Sequence, residues 1–171
     1  DALNKLTIKV EELLQGNKLE FFTEKNLLLK KEKEKSENNI KTELLANFNN
    51  SPMTPDRMIS EIANSIPQNT IVVNDAVTTG NSIFKFMNFE KENSVFGGRG
   101  GSLGWGMGGA LGIKLAFPAE NVIAIVGDGT GMMSVQALWT ASTNNIPITY
   151  IMCNNSTYRI LKLNMDIYKD Q

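Results

Sequence analysis

The chain of 171 residues contains no histidine. That removes Ser-His-Asp and Cys-His catalytic arrangements and histidine metal sites together. Any catalysis it takes part in must rest on carboxylates, amides, backbone groups or a cofactor. Cysteine is nearly missing as well: Cys153 stands alone, inside an apolar run. A disulfide framework and a cysteine-based zinc site are therefore excluded, which fits a reducing, cytoplasmic setting. Cys153 itself reads as a small buried hydrophobe. No apolar run is long enough to span a bilayer, and no signal peptide is visible. There is no excess of either charge, since the net value is −1. Bulk electrostatics thus offer no case for binding nucleic acid or an acidic membrane. The sequence opens at Asp1, without a methionine, as an internal piece or a trimmed form would.

What is present is ordinary for a soluble globular protein: 42% hydrophobic and 20% charged residues. The length suits one domain with its own core plus an appendage. Residues 1–51 form the appendage, a helical linker or the tail of a preceding domain. They are rich in Lys, Glu, Asn and Leu, and the run KKEKEK at 30–35 mixes signs as a solvated helix face does. Leu27, Leu28, Leu44 and Leu45 are placed to dock this segment on a neighbour. The domain proper spans 52–171.

Within that domain Thr54 is an expected N-cap, with Pro55 at the first helical position. Met58, Ile59, Ile62, Ala63 and Ile66 follow at helical spacing, up to Pro67. TIVVND at 70–75 reads as a short buried strand and Asn81 to Met87 as a helix. A glycine-dense stretch runs from Gly97 to Gly112. A strand is expected at Val122 to Val126, then a helix with Val135, Leu138, Trp139 and Ser142 on one face. A last strand covers Ile148 to Cys153. Strands alternating with helices point to an α/β domain with an open, mostly parallel sheet. Continuous apolar strands fit a sheet covered by helices on both faces.

The unit from Val122 to Asn155 is strand, helix, strand, close to the shortest length for a right-handed crossover. If its two strands are neighbours, their carboxyl ends lie about 4.8 Å apart. Asp128 then sits just past one end and Asn155 just past the other, at the edge where open α/β sheets bind ligands. One carboxylate and one amide suit Mg²⁺, or Ca²⁺ in its place, with the remaining ligands drawn from phosphate and water. Gly127 and Gly129 allow a tight turn and close approach of a phosphate. Thr130 and Gly131 would open a helix whose free N–H groups favour an anion. The plainer reading makes Asp128 a turn residue and helix cap, with Asn154 and Asn155 in a loop. The glycine stretch also matches G-x-G-x-x-G at Gly104, Gly106 and Gly109, a weak sign of a Rossmann-like nucleotide-binding module. Only Val95 and Phe96 precede it as strand-like residues, and Glu120 and Asp128 are its sole candidates for a ribose-binding acid.

The segment GDGTGMMSVQALWTASTNNIPITYIMCNN, continuing into STYRILK, resembles the signature of thiamine diphosphate-dependent enzymes, in particular the benzoylformate decarboxylase and acetolactate synthase group. The likeness runs from about residue 52 to the end. It implies the thiamine diphosphate-binding fold, with thiamine diphosphate and Mg²⁺ as cofactors. The metal ligands it implies are the Asp128 side chain, the Asn155 side chain and the Thr157 carbonyl. GGRGGSLGWGMGGALG holds nine of the fourteen glycines and is too apolar for a flexible linker. By resemblance it passes under the cofactor, with Gly101, Ser102 and Leu103 as contacts. The Gly101 carbonyl would meet the aminopyrimidine, and Leu103 would hold the two rings in a V; otherwise Leu103 is an ordinary core leucine. NDAVTTG at 74–80 is similar to the loop that touches the diphosphate, which makes Thr78 and Thr79 candidates; their alternative role is a cap for the following helix. The chain departs from some relatives at Val77, where they carry a hydroxyl, and at Met133, where they carry a tyrosine.

The resemblance implies a 2-oxo acid as substrate, either decarboxylated or condensed with a second one, with the hard chemistry supplied by the cofactor. No residue of this chain receives a catalytic role. The family's activating glutamate sits on a pyrimidine-binding domain, from another chain or from a part of the protein not covered by this sequence. A homo-oligomer, dimer or tetramer, is the matching expectation for the full-length protein. The family domain also extends past the position of Gln171, so the isolated chain is expected to be inactive. A relative that has kept the fold and lost activity is a further alternative.

Overall fold

The computed structural model describes residues 1–14 and 17–169. The chain divides into two units, Asp1–Asn49 and Asn50–Gln171. The first is helical: α1 spans Ala2–Leu13 and α2 spans Asn17–Ala46. The Asp1 carboxylate caps α1 by accepting from the Leu3 N–H at 3.0 Å, and Lys9 pairs with Glu12 at 2.8 Å. Pairs of this kind stabilise an exposed helix by only a few tenths of a kcal/mol, roughly 0.2–0.5 each. α1 buries none of its residues. Leu27, Leu28 and Leu45 are exposed and Leu44 is half-buried.

The second unit opens with α3 (Pro55–Ser65), where Thr54 accepts from the Arg57 N–H at 3.2 Å as the expected N-cap. Then follow β1 (Ile71–Asp75), α4 (Gly80–Phe86), β2 (Val95–Gly97) and α5 (Trp105–Ala116). β3 (Val122–Gly127), α6 (Asp128–Met132), α7 (Ala137–Thr143), β4 (Thr149–Cys153) and α8 (Arg159–Lys169) complete it. The strands form one sheet in the order β2-β1-β3-β4, and every pairing is parallel. Side chains alternate across it, as the strand period demands. Ile71, Val73, Ala124 and Val126 pack toward Met107, Ala110 and Leu111 of α5. Val72, Ile123 and Ile125 pack toward Ile59 of α3 and Ile83 of α4. Helices thus cover both faces, which is why β3 and the first three residues of β1 are apolar and buried.

Two details differ from the sequence reading. Val95 and Phe96 do belong to a strand, β2, paired with Val72 and Val73 at the sheet edge. The helix expected after β3 is broken into α6 and α7, and the face carrying Val135, Leu138, Trp139 and Ser142 points outward. Trp139 is 71% exposed and Leu138 44%, with Val135 and Ser142 also exposed. The helix instead buries Ala137 and packs Ala141 against the α5 side of the sheet. Small residues at i and i+4 let α7 approach closely, and the bulky ones are left outside.

Candidate functional site

The decisive local fact is the pairing of β3 with β4. Their register sets Gly127 opposite Cys153, so both chains leave the sheet at the same level. Asp128 follows at once on β3, and Asn154 and Asn155 follow on β4. The two exits are tied together directly: Asp128 Oδ2 accepts from the Ser156 N–H at 3.0 Å. Asn154 Oδ1 accepts from the same N–H at 2.9 Å and from the Ser156 hydroxyl at 3.0 Å. Asn155 Oδ1 accepts from the Thr157 N–H at 3.0 Å. Local side-chain bonds of this type fold Asn-rich turns, and Ser156 takes a positive φ of 50° within this one.

Asp128, Asn155, Thr157, Gly127, Gly129, Thr130, Thr78, Thr79 and Leu103 all line one cavity of about 250 Å³ at the carboxyl ends of the strands. Gly101 and Ser102 do not line it; they lie in the exposed turn before Leu103, with Gly101 at φ 73°. The Asn155 carboxamide oxygen is engaged by its own loop. The Thr157 carbonyl likewise accepts from the Arg159 N–H at 2.9 Å. Each of these oxygens has lone pairs beyond those bonds. Thr130 is buried, and its hydroxyl donates to the Asp75 carbonyl at 2.8 Å, with the Gly127 carbonyl 3.0 Å away. It serves the structure of the site's floor. Thr79 is the N-cap of α4, but its side chain makes no capping bond to that helix. It lies beside the Cys153 thiol instead.

Several cavity residues escaped the sequence reading, among them Tyr158, Arg159 and Cys153. Cys153 could have been found by the rule that strand carboxyl ends line such a site. Burial pushes its thiol up to about 11, the Thr79 side chain pulls the other way, and the Asp128 charge raises it further. It is therefore an inert thiol at neutral pH. Val77 is exposed and lines the cavity; Met133 lies outside it, against Gly104. The three glycines of the G-x-G-x-x-G match all have packing roles. Gly104 has φ 84°, and a Cβ there would lie 2.7 Å from Met133 Cβ. A Cβ on Gly106 would collide with Asp75, and one on Gly109 with the Trp105 ring. The Gly106 N–H, at the start of α5, already donates to the Asp75 carboxylate at 2.9 Å. With a carboxylate seated there, that helix end is a poor place for a phosphate, which counts against the dinucleotide reading.

The donor chemistry at the cavity is therefore one carboxylate, one carboxamide and one backbone carbonyl. Among the described residues no three His, Cys, Asp or Glu side chains cluster as a metal site would require. A set of this kind fits a hard divalent cation only if phosphate and water complete its shell. Also among the described residues, no helix is long and apolar enough to cross a membrane.

Comparison with known proteins agrees with this geometry. The family model described as "Thiamine pyrophosphate enzyme, C-terminal TPP binding domain" matches residues 75–171. Benzoylformate decarboxylase of Pseudomonas aeruginosa is 31% identical over 111 residues, covering 65% of this chain and 21% of that protein. An acetolactate synthase large subunit from Buchnera aphidicola is 43% identical over 67 residues, covering 39% of this chain and 12% of that protein. Among solved structures, the thiamine diphosphate-dependent 4-hydroxybenzoylformate decarboxylase of Rhodococcus jostii RHA1 superposes with a TM-score of 0.66 at 30% identity. It covers 69% of this chain and 22% of that one. The chain thus spans about a fifth or less of the length of these relatives.

Proposed function

This chain belongs to the thiamine pyrophosphate enzyme family through its C-terminal TPP-binding domain, and from that premise we propose that it anchors the diphosphate of thiamine diphosphate through Mg²⁺ for a cytoplasmic 2-oxo acid decarboxylase. The observation that carries the reading is the tie between the two strand exits: Asp128 reaches the Asn154–Thr157 turn and shares one cavity with Asn155. Asp128, Asn155 and the Thr157 carbonyl would hold the metal. The backbone at Gly127 and Gly129, with Thr78 and Thr79, would face the phosphates. Leu103 would support the cofactor's rings from below. When bound, thiamine diphosphate supplies a carbon nucleophile and an electron sink for the 2-oxo acid. The chain's own part is binding, orientation and neutralisation of phosphate charge.

The decarboxylase reading draws on the likeness to benzoylformate decarboxylase and on the superposition with 4-hydroxybenzoylformate decarboxylase. Condensation of two 2-oxo acids is the second reading, favoured by the likeness to acetolactate synthase large subunits, 43% identical over 67 residues in one and 30% over 134 in another. In either case a glutamate on a pyrimidine-binding domain would activate the cofactor, and the working enzyme would be a homo-oligomer. The test is calorimetric titration of thiamine diphosphate with and without Mg²⁺, with NAD⁺ as control. Binding is expected to be weak, because the pyrimidine side of the site is not part of this chain, and to require the metal. Binding indifferent to Mg²⁺, or a preference for NAD⁺, would remove the reading.

A further inference from the structure

Asp75 is a buried carboxylate that the reading above leaves without a task. It ends β1 and is 6% exposed. Its Oδ2 accepts from the Gly106 N–H at 2.9 Å, across 31 positions of sequence. α5 has Gly104 as its N-cap, with no side-chain cap of its own. A helix start leaves N–H groups without partners and carries partial positive charge. Asp75 therefore caps α5 from another element. The same turn is held from the opposite side: the Ser134 hydroxyl donates to the Gly104 carbonyl. The backbone of Asp75 also fixes the floor of the cavity, through the Thr130 hydroxyl at 2.8 Å. Leu103, the residue next to this doubly held turn, lines the cavity.

We propose that Asp75 is a positioning residue, whose carboxylate fixes the Gly104–Gly106 turn and through it sets Leu103 under the ring portion of the cofactor. The inference rests on the thiamine diphosphate reading. It makes a demand that a purely structural role does not. Leu103 faces the rings, whereas Asp128 and Asn155 face the diphosphate. Loosening the turn should weaken binding of the whole cofactor and spare binding of its diphosphate alone. Burial pushes the Asp75 carboxyl above the ordinary aspartate range. A neutral isostere thus avoids a desolvation cost, and Asp75→Asn is expected to fold.

The experiment titrates the full chain and its Asp75→Asn variant with two probes, thiamine diphosphate and inorganic diphosphate, each with Mg²⁺. The variant should bind thiamine diphosphate about tenfold more weakly, the order expected for loss of a charge-assisted hydrogen bond, and bind inorganic diphosphate as the wild type does. Asp75→Glu keeps the charge but displaces the turn by one methylene; it should give the same split at smaller size. Equal loss of both probes, loss of neither, or failure of both variants to fold would overturn the assignment and leave Asp75 a stability residue. If the wild type binds neither probe, the thiamine diphosphate reading itself has failed, an outcome distinct from all of these.

Discussion

The two ends of the sheet offer two cavities, and the larger one is at the end without the chemistry. At the amino ends of the strands, about 460 Å³ is enclosed by residues that include Phe86, Phe89, Phe117, Glu90, Glu92 and Glu120. At the carboxyl ends, about 250 Å³ is enclosed by Asp128, Asn155 and the turns around them. Chain direction explains the contrast. In this parallel sheet α4, α6 and α8 begin at the carboxyl end, as does α5 with its start already facing the Asp75 carboxylate, whereas α3, α4, α5 and α7 finish at the amino end. Helix starts present free N–H groups and partial positive charge; helix finishes present carbonyls. Three glutamates against one lysine, Lys91, beside the amino-end cavity deepen the difference. An anion belongs at the smaller cavity, and volume alone would choose wrongly.

The comparison breaks most sharply at Asp128. Asp128→Ala removes the one carboxylate of the donor set, and Mg²⁺-dependent affinity for thiamine diphosphate should fall by about a hundredfold or more, on the order of 3 kcal/mol. Calorimetry on a variant with an unchanged melting curve is the measurement, and undiminished affinity would dismiss Asp128 as a ligand. The matched change at the other end is Phe117→Ala. Phe117 packs against Phe96, with ring centroids 6.4 Å apart, and against the α5 face of the core. Its loss should cost about 2–3 kcal/mol of stability, the low end for a large side chain that is only partly buried. Ligand affinity should not move, and a variant that folds well but binds poorly would erase the distinction between the two ends.

How much of this was legible beforehand varies with the kind of signal. β1, β3 and β4 were readable because a parallel sheet covered by helices favours short apolar runs, and IVV, VIAIV and YIMC are such runs. Asp128 and Asn155 were readable because strand ends define where a site falls. Which face of α7 is buried was not readable from its bulky residues; close packing on the sheet selected Ala137 and Ala141 and left Trp139 outside. β2 was underweighted because three residues at an edge carry little periodicity. Asp75 gave no local signal at all. Its partner, Gly106, lies 31 residues away, and only the fold brings an aspartate at a strand end to the start of that helix.

The smallest effect tests whether α5 itself respects the division, since the helix runs from one end of the sheet toward the other. Near its start Gly106 cannot carry a side chain, because Asp75 occupies the space. Near its finish Gly112 is exposed, has an ordinary helical backbone, and has nothing within 4 Å of an added Cβ. A glycine there confers conformational freedom on the unfolded chain and offers the folded one no contact in return. Gly112→Ala should therefore raise stability by about 0.5–1 kcal/mol and leave thiamine diphosphate affinity as it was. Denaturant melts paired with calorimetry would show both. A loss of affinity on Gly112→Ala would mean that the far end of α5 communicates with the cavity, and the functional separation of the two ends would have to be abandoned for this helix.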